Sequence, residues 1–245
     1  MFSILQGVMR IKDKKEELDA KSATKFRRGA AMLNYMSQDR PDLSFSYKEI
    51  SRGMAKPTAK DVVKLKRAIR YLSGHKHKGI QYMFQYSPNH IKAYSDSDWA
   101  GCVKTRNSTS GGILMYGAHL LHHWSSTQSV VALSSAEAEL NAIVRAMAET
   151  LGLVHMMDGC SQRNVTAQVL TDSSAANGIV HRQGCGKVKH LECRQLWVQS
   201  YVGRGEVQCT KVPRAQNPSD ALTHYWTKDE GVTHFGKMQV QNVFP

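Results

Sequence analysis

The chain has 245 residues, and 33 Lys and Arg against 20 Asp and Glu give it a formal net charge of +13 at pH 7. Hydrophobic residues make up 41% of the sequence, which is enough for one large core or two modest ones and excludes a fibrous or wholly disordered protein. Every apolar run is interrupted well before the ~18 residues that a membrane-spanning helix needs, so we expect no membrane partner.

The N-terminus and the cysteines bear on the cellular compartment. The first residues lack a basic stretch followed by an apolar stretch and a small-residue cleavage site, which is the pattern of a secretion signal. The five cysteines are odd in number, lie far apart and form no CxxC pair. We therefore expect an intracellular protein with reduced thiols, and the cytoplasm and the nucleus are equally compatible with the sequence.

The positive charge is concentrated in the first part of the chain. Residues 1–90 hold 19 basic and 8 acidic residues, a net charge of +11, whereas residues 91–245 hold 14 and 12, a net charge of +2. Such asymmetry indicates a nucleic acid or another anionic surface as partner. A solvated helical face rich in Lys is the alternative explanation, and charge alone does not separate the two.

The basic part of the chain has helical patterning. Helices are predicted for Lys25–Met36, which must end before Pro41, for Asp42–Met54, and for Pro57–Gly74. The third helix repeats apolar residues at helical spacing, and its opposite face carries cations: Lys60, Lys64, Lys66 and Arg67. Lys64 and Arg67 are therefore predicted to contact phosphates while the apolar face packs on protein.

Near residue 90 the spacing of apolar residues changes from the helical period to the alternation that is typical of strands. Residues 90–100, 111–117 and 119–126 each read as a strand, and their tight links predict an antiparallel meander. A strong helix follows over residues 133–157, capped by Ser134 or Ser135. The rest reads as strand, helix, helix, strand and a short helix that begins near Asn217. This element order predicts an α/β domain.

Four acidic residues occupy distinctive places in that order. Asp96 ends the first strand, Glu139 lies inside the long helix, Asp172 follows the fourth strand, and Asp220 lies in the last short helix. Each one alone could be a surface carboxylate or a helix cap. Together they predict a divalent cation site, because clustered carboxylates repel one another and their hard oxygens favour Mg²⁺ or Mn²⁺.

Several motifs carry a family resemblance. The segments YSDSDWAGCVKTRNSTSGG, SSAEAEL, VLTDSSAA and QNPSDALT, in this order, resemble the ribonuclease H domain of copia-type LTR retrotransposon Pol polyproteins. The upstream segment from about residue 24 resembles the connection between reverse transcriptase and ribonuclease H in the same polyproteins. The predicted organisation is therefore an uncertain segment at 1–23, a basic helical segment at 24–90, a ribonuclease H-like domain at 91–226 and a C-terminal tail at 227–245.

The resemblance implies a fold, a reaction and a cofactor. The fold is mixed α/β, ribonuclease H-like, with a five-stranded mixed sheet flanked by helices. The reaction is hydrolysis of the RNA strand of an RNA·DNA hybrid with two Mg²⁺ or Mn²⁺ ions, and the family's four metal-binding catalytic acids correspond to Asp96, Glu139, Asp172 and Asp220. Asp96 is preferred over Asp98 because it ends the strand, and Glu139 over Glu137 because its surroundings match the family's helix pattern.

Further residues are predicted to contact the nucleic acid. Arg106 and Ser108 lie in a polar loop that could donate to phosphate or simply connect two strands. Ser134, Ser135 and Ser173 lie beside the acids, where they could touch the hybrid or serve as helix caps. The polymerase part of a reverse transcriptase is a second expected partner. The chain carries no YxDD-like motif, so we do not expect it to polymerise DNA itself.

One departure from the family pattern concerns product release. Many ribonucleases H carry a mobile His before the last acid, but the stretch CTKVPRAQNPSD contains none, and His190 and His224 are the candidate substitutes. Two alternatives to an active enzyme are therefore compatible with the sequence. One is a catalytically idle, nucleic-acid-binding transposon remnant, and the other is a domesticated interaction module.

Overall fold

The computed structural model describes residues 17–160, 165–186, 191 and 193–243, which form two compact units. The described residues of Met1–Ile80 and Val240–Pro245 make the first unit, and those of Gln81–Gln239 make the second. The helices are α1 (Ala20–Ser37), α2 (Ser44–Ser51), α3 (Ala59–Gly74), α4 (Ser135–Gly159), α5 (Ser174–Val180), α6 (Cys193–Gly203) and α7 (Lys228–Lys237). The strands are β1 (Lys78–Ile80), β2 (His90–Ser97), β3 (Thr109–Tyr116), β4 (His119–Thr127), β5 (Thr166–Thr171), β6 (Val207–Lys211) and β7 (Val240–Asn242).

The first unit contains the three predicted helices. α1 begins earlier than predicted because the side chain of Asp19 accepts a hydrogen bond from the N–H of Ser22 and caps the helix. Residues 42–54 do not form one helix, since a 3₁₀ turn over Pro41–Leu43 precedes α2. Thr58 and Asp61 form a capping box at the start of α3. Facing apolar residues of the three helices build one core, with Phe26, Leu33, Ile50, Leu65 and Ile69 among its members.

The C-terminal end of the chain adds a strand to this first unit. β7 pairs antiparallel with β1, from Lys78 opposite Asn242 to Ile80 opposite Val240. The preceding helix α7 belongs to the second unit. The segment that the sequence leaves as a tail therefore contains a helix and a strand that enter two different units.

A buried ion pair stabilises the turn between α1 and α2. Arg40 donates from Nε to Asp42 Oδ1 at 2.9 Å and from its terminal nitrogen to Oδ2 at 2.7 Å. Tyr71 of α3 donates to the same Oδ2 at 2.7 Å, and Arg40 also donates to the carbonyl of His75. The Asp42 side chain is 0% exposed. This network joins the turn to the C-terminal end of α3.

We expect Asp42→Ala to destabilise the protein by about 3–5 kcal/mol, because Arg40 would be left as a buried charge without its carboxylate partner. Urea unfolding followed by circular dichroism measures the change. Asp39→Ala is the matched control, since Asp39 is exposed and should change stability by no more than about 0.5 kcal/mol. Equal stabilities of the two variants would contradict the assigned role of the ion pair.

The second unit is built on a five-stranded mixed sheet in the order β4-β3-β2-β5-β6. β2, β3 and β4 are antiparallel neighbours, as the meander predicts, whereas β5 is parallel to both β2 and β6. Helices α4, α5 and α6 pack with the sheet through one apolar core that includes Leu140, Ile143, Met147, Val169 and Val198. This topology confirms the predicted ribonuclease H-like mixed α/β fold.

A glycine allows the last acidic segment to approach the sheet. The 3₁₀ helix Pro218–Leu222, which contains Asp220, lies against β3 at Gly111. A Cβ atom on Gly111 would lie 2.8 Å from the carbonyl oxygen of Ser219, which is too close for any other residue. Gly111 is also the antiparallel partner of Asp96 in the sheet, so this close approach brings Asp220 toward the end of β2.

Among the described residues, no helix combines the length and the apolar composition that crossing a bilayer requires.

Candidate metal and catalytic site

Sheet topology places two of the predicted acids side by side. β2 and β5 are parallel neighbours, with Ser95 opposite Thr171 at their carboxyl ends. Asp96 and Asp172 each follow one of these paired residues. Because parallel strands end at the same edge of a sheet, both carboxylates come to one place.

The third acid reaches the same place from a helix. α4 begins at Ser135 with Ser134 as its cap, and Glu139 lies in its second turn. One oxygen of Glu139 accepts a hydrogen bond from the backbone N–H of Ser97 at 3.4 Å. Asp96, Glu139 and Asp172 each offer a carboxylate oxygen, and these three oxygens all lie within 4.8 Å of one another. We call these three residues the acid cluster.

The fourth acid lies beside the acid cluster and has different contacts. Asn217 holds its segment in place, because it donates to the carbonyl of Ser95 at 3.0 Å and caps the 3₁₀ helix. Thr223 of the same segment donates to Asp96 Oδ2 at 2.5 Å. Asp220 itself is buried, and its closest charged partner is Arg214, whose terminal nitrogen lies 3.0 Å from Oδ1. Asp220 thus lies next to the acid cluster, but its carboxylate is paired with Arg214.

Two histidines flank the other oxygen of Asp220. The Nε2 atoms of His224 and His234 lie 3.9 and 3.8 Å from Asp220 Oδ2. Burial lowers the pKa of His234, and the nearby Asp220 opposes that change. His224 is one of the two residues considered as a substitute for the missing product-release His, and the other, His190, lies outside the described residues.

The carboxyl groups of the acid cluster are costly to ionise without a cation. Burial raises the pKa of Asp96 to about 7, where the hydrogen bond from Thr223 opposes the rise and the charges of Asp220 and Asp172 add to it. Burial and the neighbouring charges of Asp96 and Asp172 raise the pKa of Glu139 to about 9. The pKa of Asp172 is raised as well, first by burial and then by Asp220.

The residues of the acid cluster fit a hard divalent cation. Their donors are carboxylate oxygens, which suit Mg²⁺ or Mn²⁺. One oxygen of Glu139, Oε2, is buried and has no hydrogen-bond partner among the described residues. A buried acceptor without a partner is unfavourable, and a coordinated cation would remove that cost.

The neighbouring acids Asp98 and Glu137 have structural roles. Asp98 accepts hydrogen bonds from the backbone N–H and the hydroxyl of Thr109, which fixes the loop between β2 and β3. Glu137 accepts from the backbone N–H of Leu133 at 2.8 Å, just before α4. Both side chains therefore stabilise their own loops, while Asp96 and Glu139 point to the acid cluster.

The predicted contact residues of the β2–β3 loop differ in accessibility. Arg106 is exposed and has a positive φ of 58°, and its backbone N–H donates to the carbonyl of Cys102. Ser108 is fully buried, and its hydroxyl accepts from the backbone N–H of Ala100 at 3.0 Å. Ser108 therefore holds the loop from inside and presents no donor at the surface, whereas Arg106 does.

The predicted serines beside the acids are mostly helix caps. Ser134 caps α4 by accepting from the N–H of Glu137, and Ser173 caps α5 by accepting from the N–H of Ala176. Ser135 is exposed at the first position of α4. The caps fix the start of α4, which contains Glu139, and the start of α5, which follows Asp172, while Ser135 remains accessible.

The two predicted cations of α3 lie in the first unit. Arg67 is exposed. Lys64 is half-buried, with its ammonium 3.9 Å from a Glu49 oxygen and 3.8 Å from an Asp61 oxygen. Arg67 is thus available for an anionic partner, and Lys64 is partly neutralised by its own unit.

Several residues that build the site were not among the predicted site residues. Asn217 was predicted only as the start of the last short helix, and Arg214, Thr223 and His234 were not predicted at all. An Asn before Pro-Ser is a helix-capping pattern, which could have identified Asn217. Nothing local identifies His234, because it comes from α7, beyond the segment that the resemblance covers.

Comparisons with known proteins identify relatives of this chain. No protein-family model matches it. It is 27% identical over 228 residues to the Pol polyprotein of transposon RE1 of Arabidopsis thaliana, covering 91% of this chain and 15% of that protein. It is 28% identical over 198 residues to that of transposon TNT 1-94 of Nicotiana tabacum, covering 79% of this chain and 14% of the relative. The relatives of this chain include copia-type retrotransposon Pol polyproteins.

Two further comparisons concern a mitochondrial protein and a solved structure. It is 36% identical over 124 residues to an uncharacterized mitochondrial protein of A. thaliana, spanning 51% of each chain. Among solved structures, a ribonuclease H1 isolated from compost is 21% identical, with a TM-score of 0.39, covering 55% of this chain and 93% of that one. The chain thus spans about half of that mitochondrial relative and a small part of the Pol polyproteins.

Proposed function

We propose that the chain is a metal-dependent endonuclease that hydrolyses the RNA strand of RNA·DNA hybrids. The observation that carries the proposal is the acid cluster at the carboxyl edge of two parallel strands, with a buried Glu139 oxygen that lacks a partner. Similarity to copia-type Pol polyproteins supports the same reaction class. The proposal concerns this chain, which spans only 14–15% of the Pol polyproteins it matches.

The acidic residues have distinct roles in this proposal. Asp96, Glu139 and Asp172 would hold one cation through their carboxylate oxygens, and the adjacent Asp220 would contribute to binding a second one. When bound, two Mg²⁺ or Mn²⁺ ions lower the pKa of an attacking water and stabilise the leaving 3′ oxygen. Thr223 orients Asp96 by donating to one of its oxygens, and the backbone of Ser97 orients Glu139.

Recognition of the hybrid would depend on its backbone. Exposed cations such as Arg106 and Arg67 are suited to phosphate contacts, which carry no base-sequence information. Ser135 lies one turn before Glu139 on α4, where a hydroxyl can bond a ribose 2′-OH. A preference for RNA over DNA at the cut strand then follows from the 2′-OH contacts.

The test is cleavage of a labelled RNA·DNA hybrid by the purified chain with Mg²⁺ or Mn²⁺. We expect the wild type to cut the RNA strand and Asp172→Asn to lose the activity, because the substitution removes a charge from the acid cluster. Asp158→Asn is the matched control and should retain activity, since Asp158 is exposed near the far end of α4. Binding of the hybrid without cleavage by the wild type would contradict the proposal and favour an idle nucleic-acid-binding remnant.

A further inference from the structure

Arg214 occupies an unusual position beside the proposed metal site. Its Nε and one terminal nitrogen lie 3.2 and 3.0 Å from the same oxygen, Asp220 Oδ1. Its charge also acts on Asp96 and Asp172, since Arg214 opposes the rise in the pKa of both acids. The Arg214 guanidinium thus partly neutralises three carboxylates, those of Asp220, Asp96 and Asp172.

The two partners of this ion pair differ in freedom of movement. The Arg214 side chain is 74% exposed, whereas that of Asp220 is 10% exposed. Arg214 lies in the short 3₁₀ helix Arg214–Gln216, which has no buried residue. Asp220 lies in Pro218–Leu222, where every residue is buried. The exposed arginine side chain therefore has room to rotate into solvent, while the carboxylate stays in place.

We propose that Arg214 is a built-in counter-cation that competes with a divalent cation for Asp220 and transfers to a phosphate of the bound nucleic acid. This inference rests on the proposed function. A guanidinium and a divalent cation at one carboxylate repel each other, because both are positively charged, and a phosphate gives the guanidinium an alternative bidentate partner. Substrate binding and completion of the second metal site are then coupled through one side chain.

The first experiment measures Mn²⁺ binding without nucleic acid, from the loss of the free-ion signal in electron paramagnetic resonance. Arg214→Ala should bind Mn²⁺ at least about fivefold more tightly than the wild type, because a charge repulsion within a few ångströms is removed. Arg214→Lys keeps the charge and should remain close to the wild type. Arg204→Ala is the matched control, since Arg204 is also exposed but pairs with Glu206 elsewhere in the unit.

The second experiment measures hybrid binding in EDTA at several salt concentrations. Transfer of Arg214 to a phosphate predicts that Arg214→Ala reduces the slope of log affinity against log salt by about 1. The control Arg204→Ala should leave the slope unchanged.

The outcomes separate this inference from the proposed function. If the wild type binds Mn²⁺ and cleaves hybrids but Arg214→Ala binds Mn²⁺ no more tightly, Arg214 only supports Asp220 and the inference is wrong. An unchanged salt slope overturns the transfer to phosphate. If neither protein binds Mn²⁺, the proposed function fails and the inference with it.

Discussion

Replacing Glu139 with Gln is expected to stabilise the metal-free protein at pH 8 and to abolish hybrid cleavage. Burial and two neighbouring carboxylates raise the pKa of Glu139 to about 9, so its ionised form is disfavoured by the fold. Each unit of pKa shift corresponds to about 1.4 kcal/mol, and we expect a gain of about 2 kcal/mol or more at pH 8. The neutral amide has nearly the same shape but is a poor ligand for Mg²⁺.

The pH dependence follows from the direction of the shift. In the unfolded chain Glu139 loses its proton near its ordinary pKa of 4.5, whereas the folded protein retains the proton until about pH 9. Between these values the folded state binds more protons, so the stability of the metal-free wild type falls as pH rises. Thermal unfolding in EDTA at pH 5, 7 and 8 should show this fall, and Glu139→Gln should reduce it.

The control for this experiment is Glu137→Gln, two residues earlier in the same helix. Glu137 accepts a hydrogen bond from the N–H of Leu133, and its amide analogue keeps an acceptor, so cleavage should persist. Adding Mg²⁺ should stabilise the wild type and have little effect on Glu139→Gln, because a ligand stabilises the state that binds it. A Glu139→Gln variant that is no more stable than the wild type at pH 8 would contradict the electrostatic description of the acid cluster.

Asp96→Asn is expected to reduce hybrid cleavage about 10³-fold or more, whereas Asp98→Asn should retain most of it. Asp96 lies in the acid cluster, and its charge contributes to holding the cation. Asp98 is directed to Thr109 in the β2–β3 loop, where an amide oxygen can still accept from the backbone N–H. Only the first substitution therefore removes a ligand.

Single-turnover cleavage rates at saturating Mg²⁺ measure this difference, and Mn²⁺ binding by each variant gives a reading independent of activity. Asp96→Asn should weaken Mn²⁺ binding, and Asp98→Asn should not. If Asp98→Asn lost more cleavage and more Mn²⁺ affinity than Asp96→Asn, the metal ligand would be Asp98 and the assignment of Asp96 would be wrong. If Asp98→Asn lost both cleavage and Mn²⁺ binding, and only this variant had a lower thermal midpoint, the result would instead indicate unfolding of the β2–β3 loop.

The sequence by itself determined the fold and the acid positions that local patterns specify. Alternation of apolar residues predicted β2, β3 and β4, and it placed Asp96 at a strand end. It also placed Asp172 after the fourth strand, but only the sheet topology made β2 and β5 parallel neighbours and brought the two carboxylates to one edge. The composition likewise showed that residues 1–90 carry most of the net positive charge and that residues 91–245 are nearly neutral.

Tertiary structure alone decided the partners of each side chain. Ser108 is buried and Arg106 is exposed although they lie in one polar loop, because Ser108 faces the N–H of Ala100. Asp220 contacts Arg214 and two histidines, one of them from α7, and no local pattern specifies a contact between segments so separated. Periodicity determines which face of an element is apolar, but only packing determines which charges meet, because electrostatic partners are selected by distance in the folded chain.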